Sequence, residues 1–166
     1  MPNWADNSIK LKKTANKSKA DFFKYLTVGD EDKQWGIELL NAGVTEIFPY
    51  QNYPPLGHPP EYNFNWQSGR TLDSFSIIYI TKGKGVFESK TAETIPVSEG
   101  SIILLFPGEW HRYKPNKKSG WKEYFVAAKG KVITELLAND FFKKERPILK
   151  IGADEKIIEL FQYIIS

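Results

Sequence analysis

The chain of 166 residues contains no cysteine, so disulfides and thiol chemistry are excluded. That absence fits a reducing compartment. No apolar run approaches the roughly 18 residues of a membrane-spanning helix. The opening MPNWADNSIKLKK lacks the apolar core of a signal peptide, and the expectation is a soluble, cytoplasmic protein with no membrane partner. Histidine is scarce, with only His58 and His111, so a site of three imidazoles is arithmetically impossible. There is no G-x-S-x-G nucleophile elbow and no phosphate-cradling glycine loop. We therefore assign no catalytic residue, no metal ligand and no cofactor.

Aromatic residues, in contrast, are abundant at 14%, with five Trp, eight Tyr and eleven Phe. Tyr and Trp carry an apolar body and a polar tip and suit a pocket as well as a core. Charge is uneven. Residues 1–24 hold six lysines against Asp6 and Asp21, a surplus of +4 within a total of +3, which leaves the remainder at −1. Such a basic arm can touch a phosphate backbone or remain a solvated leader, and its composition does not establish nucleic-acid binding.

Ala20 to Leu26 (ADFFKYL) reads as one short helix inside an N-terminal arm of residues 1–34. From Trp35 to Gly130 the pattern becomes short apolar runs broken by turns. WGIEL, VTEIF, YNFNW, FSIIYIT, GVFES, AETIPV, SIILLF, WHRY, WKEYFVAA and PILKI read as strands, the last beyond Gly130, with Gly83-Lys84-Gly85 as a hairpin turn. Many short strands without long intervening helices argue for an antiparallel sandwich or barrel. Two amphipathic helices follow in residues 131–166: Lys131 to Phe142, and a second with Asp154 as N-cap and Ile157, Phe161 and Ile164 on its stripe. That second stripe is unfinished at Ser166, which suggests a dimer interface or a further domain.

Alternation places Trp121, Glu123 and Phe125 on one face of their strand, either a pocket wall or the solvent face. A carboxylate between aromatics on an apolar face needs a hydrogen-bonding partner, which a hydroxylated ligand would supply. His111 and Tyr113 share a parity in WHRY. His111 reads as a metal ligand, a catalytic base or a wall of a metal-free pocket, and we favour the last.

GSIILLFPGEWH resembles the second motif of the cupin superfamily, with Pro107 and Gly108 adjacent where the metal-binding form separates them. The first motif's His-x-His is missing from YITKGKGVFESK. In order, GHPP, WQSGR, YITKGKGVFES, LLFPGEWHRY and GW-x-EYF together resemble the N-terminal sensor domain of AraC-type transcription regulators. The resemblance implies a cupin-like double-stranded β-helix (jelly-roll) barrel, mainly β, followed by two dimerisation helices. It implies a small-molecule effector, often a sugar, a homodimer, and DNA contact only through a helix-turn-helix domain absent from this chain. It also implies Lys82, Tyr113, Glu123 and Phe125 as pocket positions, with Trp66, Arg70, Tyr79 and Trp110 as secondary candidates. The alternative from another class is a stand-alone cupin sugar isomerase or epimerase using His111. A carbohydrate-binding module is a third reading.

Overall fold

The computed structural model describes residues 21–54 and 65–166. Among these residues nine strands and three helices follow in chain order: β1 (Phe22–Tyr25), α1 (Asp30–Trp35), β2 (Glu38–Ile47), β3 (Arg70–Thr71), β4 (Phe75–Ser89), β5 (Ile95–Ser98), β6 (Ser101–Leu105), β7 (Trp110–Pro115), β8 (Trp121–Lys129), α2 (Lys131–Ala138), β9 (Ile148–Lys150) and α3 (Glu155–Ile165).

All pairings are antiparallel. One sheet runs β1-β2-β8-β4-β6-β9. The far half of β4 leaves it to pair with β5 on one side and β7 on the other, and β7 in turn pairs with β3. The two sheets thus share β4 and enclose a core of Ile78, Ile80, Phe87, Ile103, Leu105, Tyr113 and Trp121. The result is an open jelly roll, with β1 and β9 at the edges of the larger sheet.

β4 corrects an expectation. Gly83-Lys84-Gly85 is no hairpin turn, and FSIIYIT and GVFES are one strand. The pairing slips between Ile80 and Lys82, and Gly83 adopts a φ of 84°, so the strand bends without reversing. A side chain at Gly83 would collide with the Gly120 carbonyl, which is why glycine stands at this corner. WGIEL and VTEIF similarly merge into β2, which starts only at Glu38. YNFNW falls largely outside the described residues, and its Trp66 lies in a turn.

The helix expected at ADFFKYL is instead β1, whose four residues pair with Asn41–Val44 of β2. Phe22, Phe23 and Tyr25 are good strand formers, and long-range pairing overrides a weak local helical pattern. The boundary drawn at residue 34 falls inside α1, a helix not anticipated, which Gly36 ends in a left-handed conformation.

α2 packs Ile133 and Leu137 against Phe75, Leu104 and Phe106. It stops at Ala138, shorter than expected, and Phe142 beyond it stacks on Phe75 at 5.4 Å. α3 begins as expected at Asp154, whose side chain accepts from the Lys156 amide at 2.8 Å. Its stripe turns inward: Phe161 is buried against Tyr79 and Tyr124 on the outer face of the larger sheet, with Ile157 beside it. The Tyr79 hydroxyl locks the approach, donating to the Gly152 carbonyl at 2.8 Å and accepting from the Asp154 amide at 2.9 Å. Burying a Phe side chain contributes about 1.5–3 kcal/mol, so Phe161 is a principal tether of this helix. Among the described residues no helix is long and apolar enough to cross a membrane.

Candidate functional site

Strand β3 is only two residues long, yet among the described residues it supplies the cation that lines the inner cavity. Its partners on β7 are His111, opposite Arg70, and Trp110, opposite Thr71. The preceding turn is closed by Asn65, whose side-chain oxygen accepts from the Ser68 amide at 2.8 Å. The Trp110 indole donates to the Ser68 carbonyl at 2.8 Å and pins that turn to β7. With turn and strand fixed, Arg70 points between the sheets.

There Arg70 Nη2 donates to the Tyr113 hydroxyl at 2.7 Å, and Nε donates to His111 Nε2 at 3.3 Å. His111 Nδ1 lies 3.1 Å from the Glu109 carbonyl. The two contacts require one tautomer, with the proton on Nδ1 and Nε2 as acceptor. Burial first, then the neighbouring Arg70 charge, lower the His111 pKa to about 4, so the ring is neutral at physiological pH.

The cavity has a volume of about 70 Å³. Asn41, Arg70, Tyr113 and Glu123 provide its polar walls, and Tyr53, Leu72, Ile78, Leu105 and Phe125 its apolar ones. Tyr25 of β1 also lines it. Gly43 makes space for the Phe125 ring: a side chain there would collide with the Phe22 carbonyl and meet Phe125 Cζ at 2.6 Å. Phe23 of β1 covers Phe125 from the other strand, with ring centroids 6.0 Å apart.

Glu123 is 7% exposed, and its Oε2 has no hydrogen-bond partner among the described residues. Burial pushes its carboxyl up to about 8, against the opposing pull of Arg70 and of the Trp121 and Tyr53 side chains. At neutral pH it is therefore mostly protonated and able to donate. Asn41, 5% exposed, has an equally unsatisfied Nδ2. Burial also raises the hydroxyls of Tyr53 and Tyr113 above their ordinary 10, so both stay neutral. Two unsatisfied groups on one cavity are unusual, because each unmade bond costs about 1–3 kcal/mol.

Of the residues expected from sequence, Tyr113, Glu123 and Phe125 line this cavity. His111 does not line it and sits behind Arg70 as a support. Trp121 is also set back, 1% exposed in the core with its ring edge-on to Tyr53 at 5.9 Å. Lys82 is corrected: its side chain lies on the surface, 3.5 Å from Glu46, because the slip before it on β4 turns it outward. Arg70, only a secondary candidate, is central. Asn41 and Tyr53 were missed. WQSGR carried a signal for Arg70, whereas nothing local to Asn41 separates it from a surface asparagine.

Of the other secondary candidates, Tyr79 anchors α3, Trp110 holds the β3 turn, and Trp66 lies under the Arg112 guanidinium at 4.4 Å. His58 lies outside the described residues. Among the described residues no group of three or more His, Asp or Glu is placed to hold a metal ion.

An open jelly roll around a polar-walled cavity defines a cupin-like fold. Residues 52–166 match the AraC-like ligand binding domain, and the chain belongs to that family. It is 31% identical over 107 residues to the lactose operon transcription activator of Staphylococcus xylosus, covering 64% of this chain and 34% of that protein. The chain thus spans about a third of that relative's length. Among solved structures it is similar to YhaK of Escherichia coli, with a TM-score of 0.50, 13% identity, and coverage of 81% of this chain and 52% of that one. A cupin protein of Bacteroides fragilis is also similar, with a TM-score of 0.45, 14% identity, and coverage of 72% and 85%.

Proposed function

We propose that this domain senses a small hydroxylated effector, a sugar, on behalf of a cytoplasmic AraC-type transcription regulator. The observation that carries this reading is the pair Asn41 Nδ2 and Glu123 Oε2, both buried and unsatisfied on one cavity. A hydroxylated ligand supplies partners to both, while Phe125 offers a flat apolar surface to a ring's C–H face. Arg70 and Tyr113 already hold each other and present a fixed, pre-organised edge. The relative named as a lactose operon activator supports a sugar.

The response runs through β1. Tyr25 lines the cavity, and one residue earlier Lys24 Nζ donates to the Ile165 carbonyl at the end of α3 at 3.1 Å. An effector that favours one placement of β1 thereby biases α3, with a coupling of about 1–3 kcal/mol. α3 exposes Leu160, Tyr163 and Ile164 for homodimerisation, and DNA is contacted by a separate domain.

No covalent step is assigned to the site. The competing reading, a sugar isomerase using His111, needs a free ring nitrogen, and both nitrogens of His111 are engaged. Calorimetric titration of the chain with a panel of mono- and disaccharides tests the proposal. One sugar should bind saturably, should bind more weakly to Asn41→Ala and Glu123→Ala, and should be recovered unchanged. Conversion of the sugar, or binding indifferent to both substitutions, would overturn it.

A further inference from the structure

A second and larger concavity lies across the Tyr53–Tyr113 wall from the inner cavity, and those two side chains line both. Its volume is about 590 Å³. That falls within the range of about 300–1,000 Å³ typical of small-molecule sites, so a compact ligand suits it better than an extended polymer. The described lining residues include Lys84, Lys114 and Lys117 and no carboxylate.

The lysines converge because of strand pairing. Val86 of β4 lies opposite Lys114 of β7, and Lys84, two residues earlier, projects from the same face. The Asn116 amide donates to the Lys84 carbonyl at 2.7 Å, so the loop carrying Lys117 continues from this same pairing. The Lys117 carbonyl accepts from the Tyr50 amide at 2.7 Å, which ties that loop to the turn after β2. Lys114 Nζ is held 3.9 Å above the Trp66 ring.

Lys82 pairs with Glu46, and Arg112, two residues before Lys114 on β7, pairs with Glu88. Among the described residues Lys84, Lys114 and Lys117 make no ion pair. Like charges on neighbouring strands repel, and the arrangement is relieved when an anion enters.

We propose that this cleft is a second ligand site that binds a small phosphorylated molecule, with Lys84, Lys114 and Lys117 around its phosphate. Lysine suits the role, since a mobile point charge binds a phosphate without demanding one planar geometry. The common Tyr53–Tyr113 wall puts this ligand in contact with the effector cavity. The site does not depend on which sugar occupies the inner cavity.

The test is calorimetry on the chain at low ionic strength, about 50 mM, with glucose 6-phosphate, inorganic phosphate and glucose as probes. Glucose 6-phosphate should bind saturably, and the double variant Lys84→Gln/Lys114→Gln should bind at least about tenfold more weakly, a loss of about 1.4 kcal/mol. Lys118→Gln, a neighbouring lysine that does not line the cleft, should stay within about twofold of the parent. Lys114→Glu should abolish binding while leaving the melting temperature near the parent's. Equal affinity for inorganic phosphate supports the site and narrows its ligand to free phosphate. Three outcomes overturn the proposal: no saturable binding of either phosphate probe, equal weakening in Lys118→Gln, or glucose binding as tightly as its phosphate. The last would assign the affinity to the inner cavity, and so separates this proposal from the sugar reading.

Discussion

Arg70 Nε lies 3.3 Å from His111 Nε2, and this contact joins a two-residue strand to a histidine that is 1% exposed. A guanidinium N–H can only donate, so this contact fixes Nε2 as an acceptor and the imidazole as neutral. His111 thereby serves the cavity without touching it.

Replacing His111 with Phe removes the acceptor for Arg70 Nε and the donor to the Glu109 carbonyl. The expected cost is about 1–3 kcal/mol at pH 7. The pH dependence has a definite sign. The folded-state pKa is lowered from 6.5 to about 4, so this contribution is present above 6.5 and lost as pH falls through 4. By linkage it amounts to at most about 3 kcal/mol. Urea unfolding at pH 7, 5.5 and 4 should show a smaller acid loss in the variant than in the parent. Identical acid slopes would refute the assignment of a neutral buried ring.

Glu123 has the opposite sign. Its folded-state pKa is raised from 4.5 to about 8, so its contribution is complete below 4.5 and lost as pH rises through 8. The linked change is at most about 5 kcal/mol. Glu123→Gln keeps the shape and the neutral state, so its stability should decline less than the parent's between pH 5 and 8.5. Effector affinity in the parent should also fall above pH 8, where the donor is lost, and should not do so in the variant. A parent affinity flat across that range would contradict a protonated carboxyl.

On α3, two substitutions should separate docking from association. Phe161→Asp removes the ring from Tyr79 and Tyr124 and places a charge between them, with a stability loss of at least about 3 kcal/mol. Leu160→Asp lies on the exposed side of the helix and should leave the melting temperature nearly unchanged. If α3 forms the dimer, Leu160→Asp should shift the mass measured by light scattering to that of a monomer. A dimer that persists through this change and through Tyr163→Asp would place the interface elsewhere.

Gly43→Ala tests how the Phe125 wall is shaped. The added methyl collides with the Phe22 carbonyl and crowds the Phe125 ring, so either β1 lifts or the ring moves into the cavity. Overpacking of this kind costs about 1–3 kcal/mol. The effector should bind about tenfold more weakly, and proteolysis near Phe22 should accelerate if β1 is the element that yields. Unchanged affinity would remove Phe125 from the binding surface.

Much of this architecture was legible in order along the chain. Turn residues and apolar runs marked β5 to β9, the pattern Asp154 to Ile165 marked α3, and two-residue alternation put Glu123 beside Phe125. These features depend on neighbours close in sequence, and periodicity and capping report such neighbours directly. Partners distant in the chain are another matter. ADFFKYL forms a strand because β2 offers it an edge, and Lys82 faces solvent because the pairing slips just before it. Arg70 outranks Lys82 because a two-residue strand docks on His111, more than 40 residues away in sequence. The helical stripe of α3 was visible, but that Phe161 covers Tyr79 required the sheet beneath it. The sequence alone therefore determined the strands from β5 to β9, the helix α3 and which residues share a face. Only the tertiary structure decided which face is inside and which polar groups meet there, because burial and hydrogen bonding depend on contacts that close after the segments pack.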